Sequence, residues 1–175
     1  MIYSGRIAPE KNIDYLLKAF PLIAEKQENV YLLMAGGGPQ EQHYREMAKK
    51  ISPRIIFTGM LEHDRLLELY GAADLFVYAS ITETQGLVLC EAKACGLPVV
   101  ALFGGGISDM VRSGIDGYIV PRNMDVFVRH ILRLLSDDNL RLQMGRQASL
   151  DAQERFSSIA VAKKMETVYN QLIKP

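Results

Sequence analysis

Glu83-Thr84-Gln85-Gly86-Leu87-Val88-Leu89-Cys90-Glu91-Ala92-Lys93-Ala94-Cys95-Gly96 follows closely on a run of a different kind, Leu75-Phe76-Val77-Tyr78-Ala79. The short β-branched and aromatic run suits a buried strand, whereas the longer stretch reads as a helix closed by Gly96. A strand thus hands one carboxylate, Glu83, to a helix mouth. Glu91 follows eight positions later, roughly 12 Å along a helix at about 1.5 Å per residue. The first-turn N–H groups around Gln85, Gly86 and Leu87 have no partner within the helix and favour an anion. An anion flanked by two hydroxyl-binding acids is the first functional hint.

The same alternation continues on both sides. Strand-like runs at Ile2–Ser4, Val30–Ala35, Arg54–Thr58, Leu75–Ala79, Pro98–Leu102 and Tyr118–Val120 are separated by segments of helical period, such as Ile13-Leu16-Leu17-Phe20 and Leu66-Leu67-Tyr70. That is the sequence form of a parallel sheet wrapped by helices. From about Asn123 the pattern is helical only, ending with Val161-Met165-Val168-Leu172. The expected fold is α/β, a doubly wound, Rossmann-like parallel sheet with a helical C-terminal tail, and residues 1–175 are expected to form one domain.

Composition limits the partners. Lys plus Arg and Asp plus Glu each number 20 among 175 residues, a formal charge of zero that lacks the basic excess of a nucleic-acid binder. Hydrophobic residues make up 49%, yet no apolar run approaches the roughly 18 residues of a membrane span. Cys90 and Cys95 match neither a zinc nor a redox spacing and read as small core residues of a reducing compartment. His43, His63 and His130 are scattered and read as surface residues, so no metal site is expected.

Ligands of doubly wound sheets lie outside the carboxyl ends of the strands. There the chain places Gly5-Arg6 with Pro9-Glu10-Lys11-Asn12, Gly36-Gly37-Gly38-Pro39, Gly59-Met60, Glu83 and Gly104-Gly105-Gly106. Glycines permit close backbone approach to a ligand, or merely tight turns. Arg6 and Lys11 are a guanidinium and an ammonium on one loop, a pair suited to the oxygens of a diphosphate if they converge on the Glu83 helix.

Glu83 and Glu91, with seven residues between them, resemble the E-x7-E motif of retaining GT-B glycosyltransferases. The surrounding Glu83-Thr84-Gln85-Gly86-Leu87 and Ala94-Cys95-Gly96-Leu97-Pro98 look like family 4 (glycosyl transferases group 1). Gly5-Arg6 with Lys11, Ala35-Gly36-Gly37-Gly38-Pro39, Ala72-Ala73-Asp74 and Gly114-Ile115-Asp116-Gly117 add to this in the expected order. The resemblance implies the C-terminal, donor-binding half of a two-domain hexosyltransferase. Arg6 and Lys11 would hold the diphosphate of a UDP or GDP sugar with backbone at Gln85, Gly86 and Leu87. Glu83 would contact the sugar and Glu91 the ribose, and the base would lie near Gly37 and Met60. The donor is a substrate, with no cofactor and no metal required, and transfer retains the anomeric configuration.

The N-terminal acceptor domain, which would bind a glycan or lipid-linked acceptor, is expected to be missing, leaving this chain alone nearly inactive. The whole enzyme is expected in the cytoplasm, associated peripherally with the inner face of a membrane. A non-catalytic nucleotide-binding module, a nucleotide-sugar epimerase or phosphorylase relative and a nicotinamide or flavin domain remain as alternatives. Lys93 stands where the family has an apolar residue and is expected to face solvent. Asp109 stands where a Glu is common, and Gln85 where an aromatic is.

Overall fold

The computed structural model describes residues 1–173. Six strands, β1 (Ile2–Ser4), β2 (Leu32–Ala35), β3 (Ile55–Gly59), β4 (Phe76–Tyr78), β5 (Val99–Leu102) and β6 (Gly117–Val120), form one parallel sheet in the order 3-2-1-4-5-6. β1, β4 and β5 are buried throughout. Strands covered on both faces carry continuous apolar runs rather than an alternating pattern, which is why these short segments are legible. The order reverses between β1 and β4, so the loops leaving these two strands diverge to opposite sides and open a crevice. Gly5–Asn12 leaves β1 and Ala79–Gly86 leaves β4.

Helices α1 (Ile13–Ala24), α2 (Glu41–Ile51), α3 (His63–Ala72), α4 (Leu87–Ala94), α5 (Met124–Ser136), α6 (Asp138–Phe156) and α7 (Ser158–Leu172) complete the described chain. α1 contacts α2 and α5, while α4 contacts α3 and α6. Alternate residues of β4 show the two faces. Val77 joins Phe20 of α1 and Phe127 of α5 around a small internal void. Phe76 instead meets Tyr70 of α3 edge-on at 6.0 Å, and Tyr78 stacks on Tyr3 at 5.9 Å. The stripe Ile13-Leu16-Leu17-Phe20 is buried as its spacing requires. On α7 no residue is buried, and Val161, Met165, Val168 and Leu172 stay 46–76% exposed.

Lys93 corrects the expectation from sequence. It is fully buried, because α6 returns over α4 and supplies Asp151 to its ammonium. A local helical pattern shows which residues share a face but not that a distant helix will cover the second face. Cys90 and Cys95 are only half-buried; Cys95 packs against the core, and the Cys90 thiol lies 3.5 Å from the Met110 sulfur. His43 and His63 are exposed as expected, whereas His130 is half-buried against Tyr118, with ring centroids 4.5 Å apart.

Candidate functional site

The loop after β1 is shaped by a 3-10 turn, Pro9–Lys11, whose proline presets the backbone of its first residue. Asn12 then takes a left-handed conformation, φ 54°, which ends the turn and starts α1. Asparagine tolerates that region better than most residues. Its side-chain amide donates to the Ala79 carbonyl at 3.1 Å, and the Ser80 hydroxyl donates to the Glu10 carbonyl at 3.3 Å. These bonds fasten the β1 loop to the β4 loop across the crevice. Lys11 is thereby brought to Glu83, with Nζ 2.5 Å from Oε2. Both side chains are under 20% exposed.

The Tyr78 hydroxyl, at the end of β4, donates to the same carboxylate oxygen. Burial alone would push the Glu83 carboxyl up. The hydrogen bonds from Lys11 and Tyr78, the Lys11 charge and the Gly86 N–H outweigh burial and hold it below the usual range. Glu83 is therefore a carboxylate at neutral pH. Its depressed folded value means that its stabilising contribution is present above its unfolded pKa and is lost as the pH falls through the folded one. Tyr78→Phe removes one of the bonds to the charged form, so the Glu83 pKa should rise, by about one unit if a net hydrogen bond of about 1.4 kcal/mol is lost. A carboxyl-carbon NMR titration of the variant would show this, and an unchanged or lower value would contradict it.

Glycines close the site from two sides. A Cβ on Gly36, φ 136°, would stand 2.0 Å from the Gly5 carbonyl oxygen, and one on Gly105, φ 52°, would stand 2.0 Å from the Glu83 carbonyl oxygen. Both are needed where loop meets loop, so of the two functions open to such glycines in the sequence, here it is the packing of turns that demands them.

Two adjoining cavities open at the carboxyl edge of β1 and β4. One, of about 380 Å³, is lined by Arg6, Lys11, Glu83, Gln85, Gly86 and Leu87. The other, of about 340 Å³, is apolar and is lined by Gly37, Met60, Leu61, Leu66, Ser4 and Val88. Gly5, Arg6 and Val88 border both, so a single elongated molecule could occupy the two. Gly86 caps α4 in a left-handed conformation, φ 61°, and Gln85, Gly86, Leu87 and Val88 at the start of the helix line the polar cavity. Arg6 is the more exposed cation, 65% exposed, with Nη1 4.0 Å from Glu10.

Eight of the nine residues singled out from sequence thus line this pair of cavities. Glu91 lines neither. It lies beside Tyr70, whose phenol is pushed up by burial first and in part by the Glu91 charge, and which is hydrogen-bonded to Ser4 on the wall of the apolar cavity. A larger hollow of about 440 Å³ lies at the amino edge of the sheet by Met1, Tyr31 and Asp74. Its cation, Arg141, is already paired with Asp138 at 2.7 Å and Asp74 at 3.7 Å, so it offers no free charge to a ligand.

The family described as glycosyl transferases group 1 matches residues 1–151. This chain belongs to that family. An uncharacterized glycosyltransferase of Methanocaldococcus jannaschii is 32% identical over 97% of the chain and 44% of its own length. N-acetyl-alpha-D-glucosaminyl L-malate synthase of Bacillus anthracis is 29% identical over 99% of the chain and 46% of its own length. The solved structure of sucrose-phosphate synthase from Thermosynechococcus elongatus superposes with a TM-score of 0.84 at 28% identity, covering 98% of the chain and 45% of that protein. The chain therefore spans less than half the length of these relatives.

Within this group 1 domain, the sequence did not disclose Tyr78, Asn12 or the Ser4–Tyr70 pair. Tyr78 carried a faint signal, as a polar-tipped residue ending the strand that precedes Glu83. Asn12 carried another, directly after the Pro-containing turn. Tyr70 is remote from Ser4 in sequence, and only the β1–β4 neighbourhood brings α3 over both.

Proposed function

We propose that the chain is the donor-binding half of a retaining glycosyltransferase of the GT-B, family 4 type, taking a nucleoside diphospho-sugar of the UDP or GDP class. The carrying observation is the Lys11–Glu83 pair at the strand-order reversal, in a polar cavity at the mouth of α4 that joins an apolar one. The base takes the apolar cavity beside Gly37 and Met60. The ribose faces Glu91 from the Ser4 side. The diphosphate meets Arg6, Lys11 and the backbone at Gln85, Gly86 and Leu87, with the Gly86 N–H shared with Glu83, where cation and helix mouth both favour it. The sugar lies against Glu83.

In the reaction the bond between the anomeric carbon and the diphosphate oxygen breaks, and the leaving group keeps the electron pair. Lys11 and the helix mouth meet the charge that develops there, the kind of preorganised stabilisation whose single donors contribute about 3–4 kcal/mol elsewhere. The acceptor hydroxyl attacks from the face that the diphosphate leaves, and its proton passes to a diphosphate oxygen. Glu83 acts as a positioning and electrostatic group rather than a nucleophile. Its carboxylate is held by Lys11 and Tyr78 and is weakly basic. The acceptor is a glycan or a lipid-linked sugar, bound by the half of the enzyme that this chain does not span, so the chain alone binds nucleotide and transfers sugar very poorly.

Calorimetry with UDP, GDP and ADP tests this reading. One of them should bind, and binding of none would overturn it. Glu83→Gln provides a test of opposite sign. It releases Lys11 from its partner and removes a negative charge beside the phosphates, so the nucleoside diphosphate should bind a few-fold more tightly than to the wild type. Weaker binding would mean that Glu83 and the diphosphate do not share Lys11.

A further inference from the structure

Behind the α4 mouth lies a buried group of charges that neither cavity touches. Lys93 on α4 has three partners, two of which accept hydrogen bonds from its ammonium, while Asp116 is ion-paired with it. The three are Asp151 of α6, Asp116 at 3.1 Å and the main-chain carbonyl of Met110 at 2.6 Å. Both aspartates are fully buried. Arg112 reaches Asp151 with Nε at 2.9 Å, and its backbone N–H donates to Asp116 at 2.9 Å. Arg155 pairs with Asp151 at 3.3 Å and donates its second terminal nitrogen to the Asp109 carbonyl at 2.5 Å.

Two main-chain carbonyls, those of Asp109 and Met110, are therefore gripped by this cluster at the end of the 3-10 turn Gly105–Asp109. The other end of the same turn bears on the site. The Gly106 N–H donates to the Glu83 carbonyl at 2.7 Å, and Gly105 approaches Glu83 too closely for any Cβ. Met110 makes a second link, since its Cγ lies 3.6 Å from where a Cβ on Gly86 would stand, and its sulfur meets Cys90 one turn into α4. A one-turn segment is thus clamped at one end by buried charge and interlocked at the other with the main chain at Glu83 and Gly86.

We propose that the cluster of Lys93, Asp151, Asp116, Arg112 and Arg155 is a positioning device that sets the 105–110 turn and, through it, the main chain of Glu83 and Gly86, so that it governs the phosphate and sugar end of the donor site and leaves the nucleoside end alone. This deepens the donor-site reading and rests on it. None of the five side chains touches the ligand; they act through Gly106 and Met110.

Two variants loosen the clamp, and in both Asp116 keeps Arg112. Lys93→Met with Asp151→Leu replaces the central pair by apolar groups, an exchange that folds elsewhere tolerate. Arg155→Ala removes the partly exposed outer clamp on Asp109 and one of the three cations on Asp151, which keeps Lys93 and Arg112. Hydrogen exchange at the Gly106 amide should quicken in both by at least tenfold more than any change at the β5 amides of Val100 and Ala101, which report global opening. Calorimetry should show UDP or GDP, whichever the wild type binds, weakened at least fivefold, with the matching nucleoside within twofold of wild type.

Unchanged exchange at Gly106 overturns the proposal. So does an unchanged diphosphate affinity, or an equal loss for nucleoside and diphosphate, since a merely structural cluster would shift the melting temperature without that split. If the wild type binds no nucleotide, the donor-site reading fails by itself, and the exchange rate of Gly106 then decides whether the cluster positions Glu83.

Discussion

Lys93→Met, as a single change, is expected to lower the stability of the folded chain by about 3–5 kcal/mol, the range for removing one partner of a buried ion pair. The wild-type ammonium lies between two carboxylates with no exposed surface. Without it, Asp151 keeps Arg112 and Arg155, but Asp116 is left with the Arg112 backbone N–H and a guanidinium 3.5 Å away. At roughly 2–4 °C per kcal/mol for a chain of this size, the melting temperature should fall by roughly 6–20 °C. Calorimetric melting checks this, and a loss of only a degree or two would mean that the cluster relaxes or admits water.

The pH dependence has a definite sign. Burial pushes the Asp151 carboxyl up, but the Lys93 hydrogen bond and the charges of Lys93, Arg155 and Arg112 pull it further down, below its ordinary value. Its contribution is thus present above the unfolded pKa and disappears as the pH falls through the folded one. The difference between wild type and variant should accordingly be largest near neutrality and shrink in acid.

Lys11→Ala is expected to weaken nucleoside diphosphate binding by tenfold or more, about 1.4 kcal/mol or above, while the matching nucleoside binds within twofold of wild type. Two effects add. The diphosphate loses a charge-assisted donor, and Glu83, 17% exposed and stripped of its cation, then faces the phosphates as a like charge. The double variant Lys11→Ala with Glu83→Gln should recover part of the loss, because it removes that repulsion but not the missing donor. Calorimetry on the four proteins of this cycle measures the coupling. An equal loss for nucleoside and diphosphate would place Lys11 away from the phosphates.

Much of this architecture was legible because it depends on local rules. The strand runs flanking Glu83 and Gly5 were recognisable by their continuous apolar character, and the helix after Gly86 by its period and its closing glycine. The α/β alternation then implied that residues following the strands share one edge, and that rule groups Arg6, Lys11, Glu83, Gly37 and Met60 from the sequence itself. Lys93 shows the opposite limit. Nothing within a few residues of it signals burial, since its partners Asp116 and Asp151 lie 23 and 58 positions on. Tyr78 is intermediate, because its place in β4 was legible but the direction of its hydroxyl toward Glu83 was not.

The amino-acid order alone thus determined that the chain would be a doubly wound sheet, that acids and cations would follow particular strands, and that a helix mouth would open beside Glu83. Periodicity and turn chemistry act over a few residues and suffice for that. Whether Lys11 pairs with Glu83, whether Glu91 lines the same cavity, and whether Lys93 is wet or buried were decided only by tertiary packing. Each depends on which loop lies against which across the β1–β4 reversal, or on α6 folding back over α4. Those contacts join residues tens of positions apart, and their energies come from desolvation and pairing that exist only once both partners are in place.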